Sequence, residues 1–187
     1  MQKQIDIYDK NDQPTGKQAS IDYVMKRGLW HRGAHVTVYS ASGKILMQKR
    51  SQRMLTQPGL LDFSCGGLVD TGEQPVDAAV RETFEEVGIS AKAEEFLFTG
   101  IYRFNHAFPR IRRFSRSFTY CYVLRIGSEH IGDIQREELE WARFVPLREA
   151  QRLVRKHALR GFGRIIPHYR LYAGQLREVA RLIKEQV

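Results

Sequence analysis

Gly67-Leu68-Val69-Asp70-Thr71-Gly72-Glu73-Gln74-Pro75-Val76-Asp77-Ala78-Ala79-Val80-Arg81-Glu82-Thr83-Phe84-Glu85-Glu86-Val87-Gly88-Ile89 sets a glycine-containing loop ahead of a short, glutamate-rich helix. Pro75 suits a first helical turn, where a missing N–H costs nothing, and Gly88 suits the residue after a last turn. Between them Val76, Val80, Thr83, Phe84 and Val87 recur at helical spacing and predict one core-facing stripe. At 100° per residue Glu82, Glu85 and Glu86 fall roughly 150° from the mean direction of that stripe, which places three carboxylates on one open face. Like charges within one turn repel, so such a face calls for counter-charge. Mg²⁺ takes hard oxygen ligands, which makes these glutamates candidate metal ligands.

Around this segment the charge is uneven. The chain of 187 residues carries 30 Lys plus Arg against 21 Asp plus Glu, a net charge of +9. Yet Gly67 to Tyr102 holds eight acids and two bases, whereas Arg148 to Val187 holds ten bases and three acids. An acidic island in a basic protein suits divalent ions held beside a site that receives phosphate. Positive charge also raises nucleic acid as a partner, but net charge speaks of steering rather than fold. Two cysteines, Cys65 and Cys121, are too few for a disulfide framework. The N-terminus has no apolar signal core and no run reaches the roughly 20 apolar residues that span a bilayer. A cytoplasmic protein with no membrane association is the expectation.

Outward from the helix, element types alternate. Strands are predicted at Ile5–Tyr8, Ala34–Tyr39, Lys44–Arg50, Leu60–Cys65, Phe96–Phe104, Ser117–Leu124 and Trp141–Val145, with turn formers over Asp9–Gly16 and a hairpin through Ser40–Gly43. A helix is predicted near Ser20–Lys26. Leu147, Ala150, Val154 and Ala158 fit one C-terminal amphipathic helix, and Tyr169, Tyr172, Leu176, Val179, Ile183 and Val187 fit another, whose apolar face could cover the sheet or close a homodimer. The absence of linkers or repeats predicts a single domain over 1–187, with a core over about 30–150 and helices over about 147–187.

The order Gly67, five residues, Glu73, seven residues, Arg81-Glu82, two residues, Glu85-Glu86, one residue, Gly88 resembles the box of the Nudix hydrolase superfamily. Only Thr83 departs, standing at a normally aliphatic position. The resemblance implies an α/β/α sandwich around a mixed sheet, extended here by C-terminal helices. It implies metal-dependent hydrolysis of a diphosphate linkage in a nucleoside diphosphate-X or related organic pyrophosphate, by water attack at phosphorus. The cofactor it implies is Mg²⁺, with Mn²⁺ as the alternative ion. Glu82, Glu85, Glu86 and the carbonyl near Gly67 would hold metal; Arg81 would orient the glutamates, with Glu73 in the same network. The base varies between members, between the box (Glu86) and a downstream loop, where Glu137, Glu138 and Glu140 stand and Glu138 is preferred.

Flanking segments resemble the branch that includes isopentenyl-diphosphate isomerase: Trp30-His31-Arg32, Gly43 to Ser51, Pro58-Gly59 and Cys65-Gly66-Gly67. Cys65 and His31 fall where that isomerase has its cysteine and a metal-binding histidine. Gly67, however, replaces the histidine that follows the cysteine, and Ser115 to Tyr120 lacks the isomerase's acids. Isomerase activity is therefore the alternative, as is a nucleic-acid-binding module with a degenerate box. Cys65 reads as a small buried residue rather than a nucleophile. Arg110, Arg112 and Arg113, in an arginine-rich stretch with Phe104, His106, Phe108 and Phe114, form either a loop that clamps phosphate and stacks a ring, or a solvated loop. Arg50, with Lys49, either faces phosphate or flanks the hairpin.

Overall fold

The computed structural model describes residues 4–160 and 165–185. Nine strands form one mixed sheet: β1 (Gln4–Tyr8), β2 (Pro14–Ser20), β3 (Trp30–Ser40), β4 (Lys44–Arg50), β5 (Leu61–Phe63), β6 (Cys65–Leu68), β7 (Phe96–Phe108), β8 (Arg113–Ile126) and β9 (Leu139–Pro146). Four helices accompany it: α1 (Ile21–Arg27), α2 (Pro75–Val87), α3 (Leu147–Arg160) and α4 (Tyr169–Lys184). The spine is a parallel pairing of β3 with β8, from Trp30–Arg116 to Ser40–Ile126. β6 runs antiparallel to the first half of β3, and β9 and β5 both run antiparallel to β4.

Both faces of the sheet are covered, so its central strands are apolar on both sides. In β3 the side chains alternate: Ala34, Val36 and Val38 pack with Ala78, Ala79 and Val87 of α2, while Tyr39 packs in a second core with Val154 of α3 and Leu171, Tyr172, Leu176 and Val179 of α4. The architecture is the expected α/β/α sandwich. The apolar face of α4 covers the sheet. Tyr169, assigned to that face, is instead exposed; the side chain of Ala158 and all of Val187 lie outside the described residues.

Departures from expectation have physical causes. Asp9 to Gly16 is not all turn, because β2 begins at Pro14; this strand is solvent-exposed through most of its length, so it carries no apolar alternation. The strand expected over Leu60–Cys65 is two, broken where Ser64 takes a φ of 49° and turns its hydroxyl onto the Leu46 carbonyl. α2 is bounded as predicted, with Pro75 at its start and Gly88 in the left-handed region at φ 63°.

Candidate active site

Arg81 organises the acidic end of the site. Its Nε donates to Glu73 Oε1 at 2.9 Å, its Nη2 to Glu73 Oε2 at 2.9 Å and to the Leu68 carbonyl at 2.9 Å. Its Nη1 donates to Glu82 Oε1 at 2.7 Å and to Glu85 Oε2 at 3.0 Å. A planar guanidinium can serve three carboxylates at once because its donors are fixed in a fork. The bonds it donates to Glu73, and then to Glu82, hold Arg81 cationic beyond its ordinary range.

The three box glutamates do not share an open face. Glu85 is exposed, but Glu82 is 8% and Glu86 2% exposed. A helical wheel fixes angles on α2 but not what lies beside it, and here β6 and β4 lie over the glutamates. Glu86 Oε2 accepts from Gln48 at 3.0 Å and its Oε1 from the Gly66 N–H at 3.3 Å. Burial, then the charges of Glu82 and Glu138, pushes the Glu86 carboxyl well above the usual carboxylate range. Glu82 is raised as well, again chiefly by burial. Two glycines make room for this approach: a Cβ at Gly66 would stand 2.6 Å from the Ala34 carbonyl oxygen, and one at Gly67 would stand 2.2 Å from Glu82 Oε1.

Among the described residues no three His, Cys, Asp or Glu side chains converge closely enough to cage an ion. The donor chemistry nevertheless fits a hard divalent cation. Glu82 and Glu86 supply buried oxygens whose negative charge is under-compensated, and Arg81 stands where counter-charge is needed.

A cavity of about 490 Å³ opens beside these carboxylates, lined at one end by Gly66, Gly67, Glu82 and Glu138. Arg50 lines it too, with Nη2 on the Thr56 carbonyl at 3.2 Å and Nε buried without a hydrogen-bond partner among the described residues. Lys49 is paired with Glu140 at 2.5 Å, which makes Glu140 a structural partner, and Glu137 is exposed. The arginine-rich stretch is not a loop but the β7–β8 hairpin. Phe104, His106 and Phe108 alternate on one face and line the cavity. Arg110 and Arg112 sit at the tip and outside the lining, as does Arg113, whose Nη2 pairs with Asp22 at 2.6 Å. Arg103 stacks on Trp30, 4.4 Å from its ring centroid.

Cys65 is fully buried, 3.3 Å from the Thr83 hydroxyl, and absent from the lining; burial, then Glu86, holds its thiol well above the ordinary range. Thr83 satisfies its hydroxyl on the Ala79 carbonyl at 2.6 Å, which is how a polar residue sits at an apolar position. His31 lines the cavity as a neutral group, its pKa lowered to about 4 by burial.

The lining residues not singled out as binding groups from the sequence include His35, Asp62, His168 and Leu171. Asp62 carried a signal, being an acid inside the apolar run Leu60 to Cys65. His168 carried none, since only the docking of the C-terminal segment brings it here, through the bond from the Ile166 N–H to the Leu61 carbonyl at 2.9 Å.

Residues 29–166 match the NUDIX domain; they include the loop and helix just described and most of the cavity lining, while Ile21, Met25, His168 and Leu171 lie outside them. The chain belongs to the Nudix hydrolase family. It is 31% identical over 138 residues to an uncharacterised Nudix hydrolase of Pseudomonas aeruginosa, PA4841, a match that covers 73% of this chain and 75% of that one. YfcD of Escherichia coli is 40% identical over a shorter stretch of 73 residues, which covers 39% of this chain and 41% of that one. Among solved structures, DR0079 of Deinococcus radiodurans superposes with a TM-score of 0.66 at 19% identity, covering 92% of this chain and 98% of its own. The NUDIX domain of Shewanella oneidensis NrtR, solved with ADP ribose, gives 0.59 at 18% identity, covering 82% and 88%. At these identities the likeness is one of fold. Within this Nudix chain the box residues occupy α2 and the loop before it, and no helix among the described residues is long and apolar enough to cross a membrane.

Proposed function

We propose that the protein hydrolyses the diphosphate linkage of a nucleoside diphosphate-X or related organic pyrophosphate, with Mg²⁺ or Mn²⁺ held by Glu82, Glu85, Glu86 and the Gly67 carbonyl. The observation that carries this reading is the Arg81 fork: one guanidinium gathers Glu73, Glu82 and Glu85 beside the buried Glu86, at the acidic end of a cavity large enough for a small molecule. A divalent ion at such a site polarises a phosphoryl oxygen and lowers the pKa of bound water.

The remaining roles belong to the chain. Arg81 fixes the directions of its carboxylates and offsets their repulsion. Glu138 lines the same end of the cavity, within electrostatic reach of Glu82 and Glu86, and takes the proton of the attacking water. Glu86 is the second candidate base, its carboxylate held by Gln48 and the Gly66 N–H. Arg50, which lines the same cavity, meets a phosphate with charge-assisted bonds. The isomerase alternative needs Cys65 at the substrate, whereas here its sulfur is buried behind Thr83. The partner is thus a small-molecule diphosphate in a single Nudix domain.

A hydrolysis screen over nucleotide sugars, dinucleoside polyphosphates, nucleoside triphosphates and non-nucleotide diphosphates, with and without Mg²⁺ or Mn²⁺, tests this. Metal-dependent release of a phosphorylated fragment from at least one class is the expected outcome. No turnover across the panel overturns the reading.

A further inference from the structure

The cavity has a second polar centre, away from the box, on the face of the sheet that α4 covers. Asp62 of β5 is held there by three elements. Its Oδ1 accepts from the Phe63 N–H at 2.8 Å and from the Tyr172 hydroxyl of α4 at 2.5 Å, while His35 Nε2 of β3 lies 3.7 Å away. Asp62 Oδ2 accepts no hydrogen bond among the described residues. His35 Nδ1 is likewise buried with no hydrogen bond among the described residues, and Nε2 has only the longer contact with Asp62. Asp62 and His35 both line the cavity, their side chains 14% and 11% exposed. Polar atoms in such positions cost stability unless something occupies them.

The identity of these atoms restricts the occupant. An ionised carboxylate only accepts. Burial alone would raise the Asp62 carboxyl, but His35, the Tyr172 bond and Arg50 outweigh it and hold the group below its ordinary value, hence charged. The carboxylate in turn favours the His35 tautomer with hydrogen on Nε2, which leaves Nδ1 as a second acceptor. Two acceptors on neighbouring side chains call for two donors on one ligand. The neighbouring walls are aromatic: Phe104, His106 and Phe108 project from β7, and His168 packs on Phe104 at a 55° tilt with centroids 4.1 Å apart. His168 is uncharged, because burial lowers it to about 4, so it serves as an aromatic face rather than a cation.

We propose that Asp62 and His35, positioned by Tyr172, form a specificity subsite that reads the hydrogen-bond-donor edge of a planar ring carried by the substrate, an N–H beside an amino group as in guanine. Adenine presents an acceptor nitrogen beside its amino group and would set acceptor against acceptor. The subsite exists only with α4 docked, since Tyr172 comes from that helix. It rests on the cavity being the substrate site but not on any cleavage there.

The test is equilibrium binding of nucleoside monophosphates to the intact chain, which requires no hydrolysis. GMP is expected to bind at least about tenfold more tightly than AMP. It should also exceed N1-methyl-GMP, whose methyl group blocks the central donor, by the same factor. Asp62→Asn, which replaces an acceptor oxygen by an amide donor, should remove most of the difference between GMP and AMP. The comparison among ligands on the unaltered protein stands even if that variant fails to fold. Equal binding across the three nucleotides, no binding of GMP, or a preference that survives Asp62→Asn overturns the proposal. A preference for GMP in a protein that cleaves no diphosphate would sink the hydrolase reading alone, and diphosphate cleavage indifferent to the ring would sink this one alone.

Discussion

Arg81 Nη1 lies 2.7 Å from the Oε1 of Glu82, its neighbour in sequence, so the guanidinium bends along α2 to cover an acid that is itself nearly buried. The same nitrogen reaches Glu85 one turn on, at 3.0 Å. One side chain thus offsets the repulsion of two carboxylates, while Glu86, on the covered side, pairs with no cation among the described residues. The arrangement is stable enough to form but is biased toward accepting more positive charge.

Arg81→Lys is expected to lower turnover at least tenfold, and on the order of a hundredfold where the orientation of the glutamates limits the rate, because an ammonium cannot serve three carboxylates in fixed directions. Steady-state kinetics at saturating Mg²⁺ measure it. Full activity in the lysine variant would show that charge alone suffices.

Glu86→Gln should stabilise the metal-free protein at alkaline pH while cutting turnover tenfold to a thousandfold, roughly the range for loss of one charged group at a reacting centre. Burial raises the folded carboxyl above its unfolded value, so the cost of ionising it is absent near pH 4 and grows as pH climbs through the window between the two. The gain in Tm from the substitution should follow that curve. A pH-independent gain, or no loss of turnover, would remove Glu86 from the role assigned to it.

Gly66→Ala and Gly67→Ala separate packing from function. The first places a Cβ against backbone, the Ala34 oxygen at 2.6 Å, and should cost about 3 kcal/mol, at the upper end for overpacking. The second meets only the end of the Glu82 side chain. Its cost in stability should be smaller, and its damage should appear in turnover as Glu82 is displaced from Arg81. Urea unfolding together with kinetics resolves the pair; a Gly67 variant that is less stable than the Gly66 variant yet fully active contradicts this picture.

Arg110→Ala and Arg112→Ala should change kcat/KM less than about threefold, with any loss disappearing near 0.5 M salt, because both lie at the hairpin tip and act only through long-range steering. Arg50→Ala, at the cavity wall, should cost at least about tenfold at either salt concentration. The reverse order of effects would return phosphate binding to the hairpin.

His31 and His168 should make the protein sensitive to mild acid. Both are held neutral, near a pKa of about 4, by burial. From about pH 6.5 down to about 4 the unfolded chain therefore binds more protons than the folded one, and stability falls as pH falls, by at most about 3 kcal/mol for each imidazole. His168→Gln should lose less stability between pH 7 and pH 4.5 than the parent does. Parallel losses in urea midpoint would place the sensitivity elsewhere.

The box and its helix were legible because their signals are local: Pro75, Gly88 and the spacing of Glu82, Glu85 and Glu86 lie within one short segment. What lies across space was not. An angular argument left Glu86 open to solvent because nothing in α2 announces Gln48, Gly66 or the strands that carry them. The exposed edge strand β2 has no apolar pattern to find, while the alternation of Tyr102, Phe104, His106 and Phe108 was written in the sequence but obscured by the arginines between and beyond them. Asp62 drew no assignment because its meaning depends on Tyr172, more than a hundred residues later, arriving on α4.

The parallel pairing of β3 with β8 has a consequence for how the chain comes into being. Residues 30–40 must wait for residues 116–126, so everything from the first hairpin to the box is synthesised before the central seam can close. Closing so long a loop is entropically costly and slow, and until then the apolar face of β3 that will receive α2 has only provisional neighbours. A nascent chain halted before Arg113 would hold every box residue and still lack the sheet that orders them. Premature release at that stage should yield protease-sensitive, aggregation-prone material rather than a smaller working enzyme.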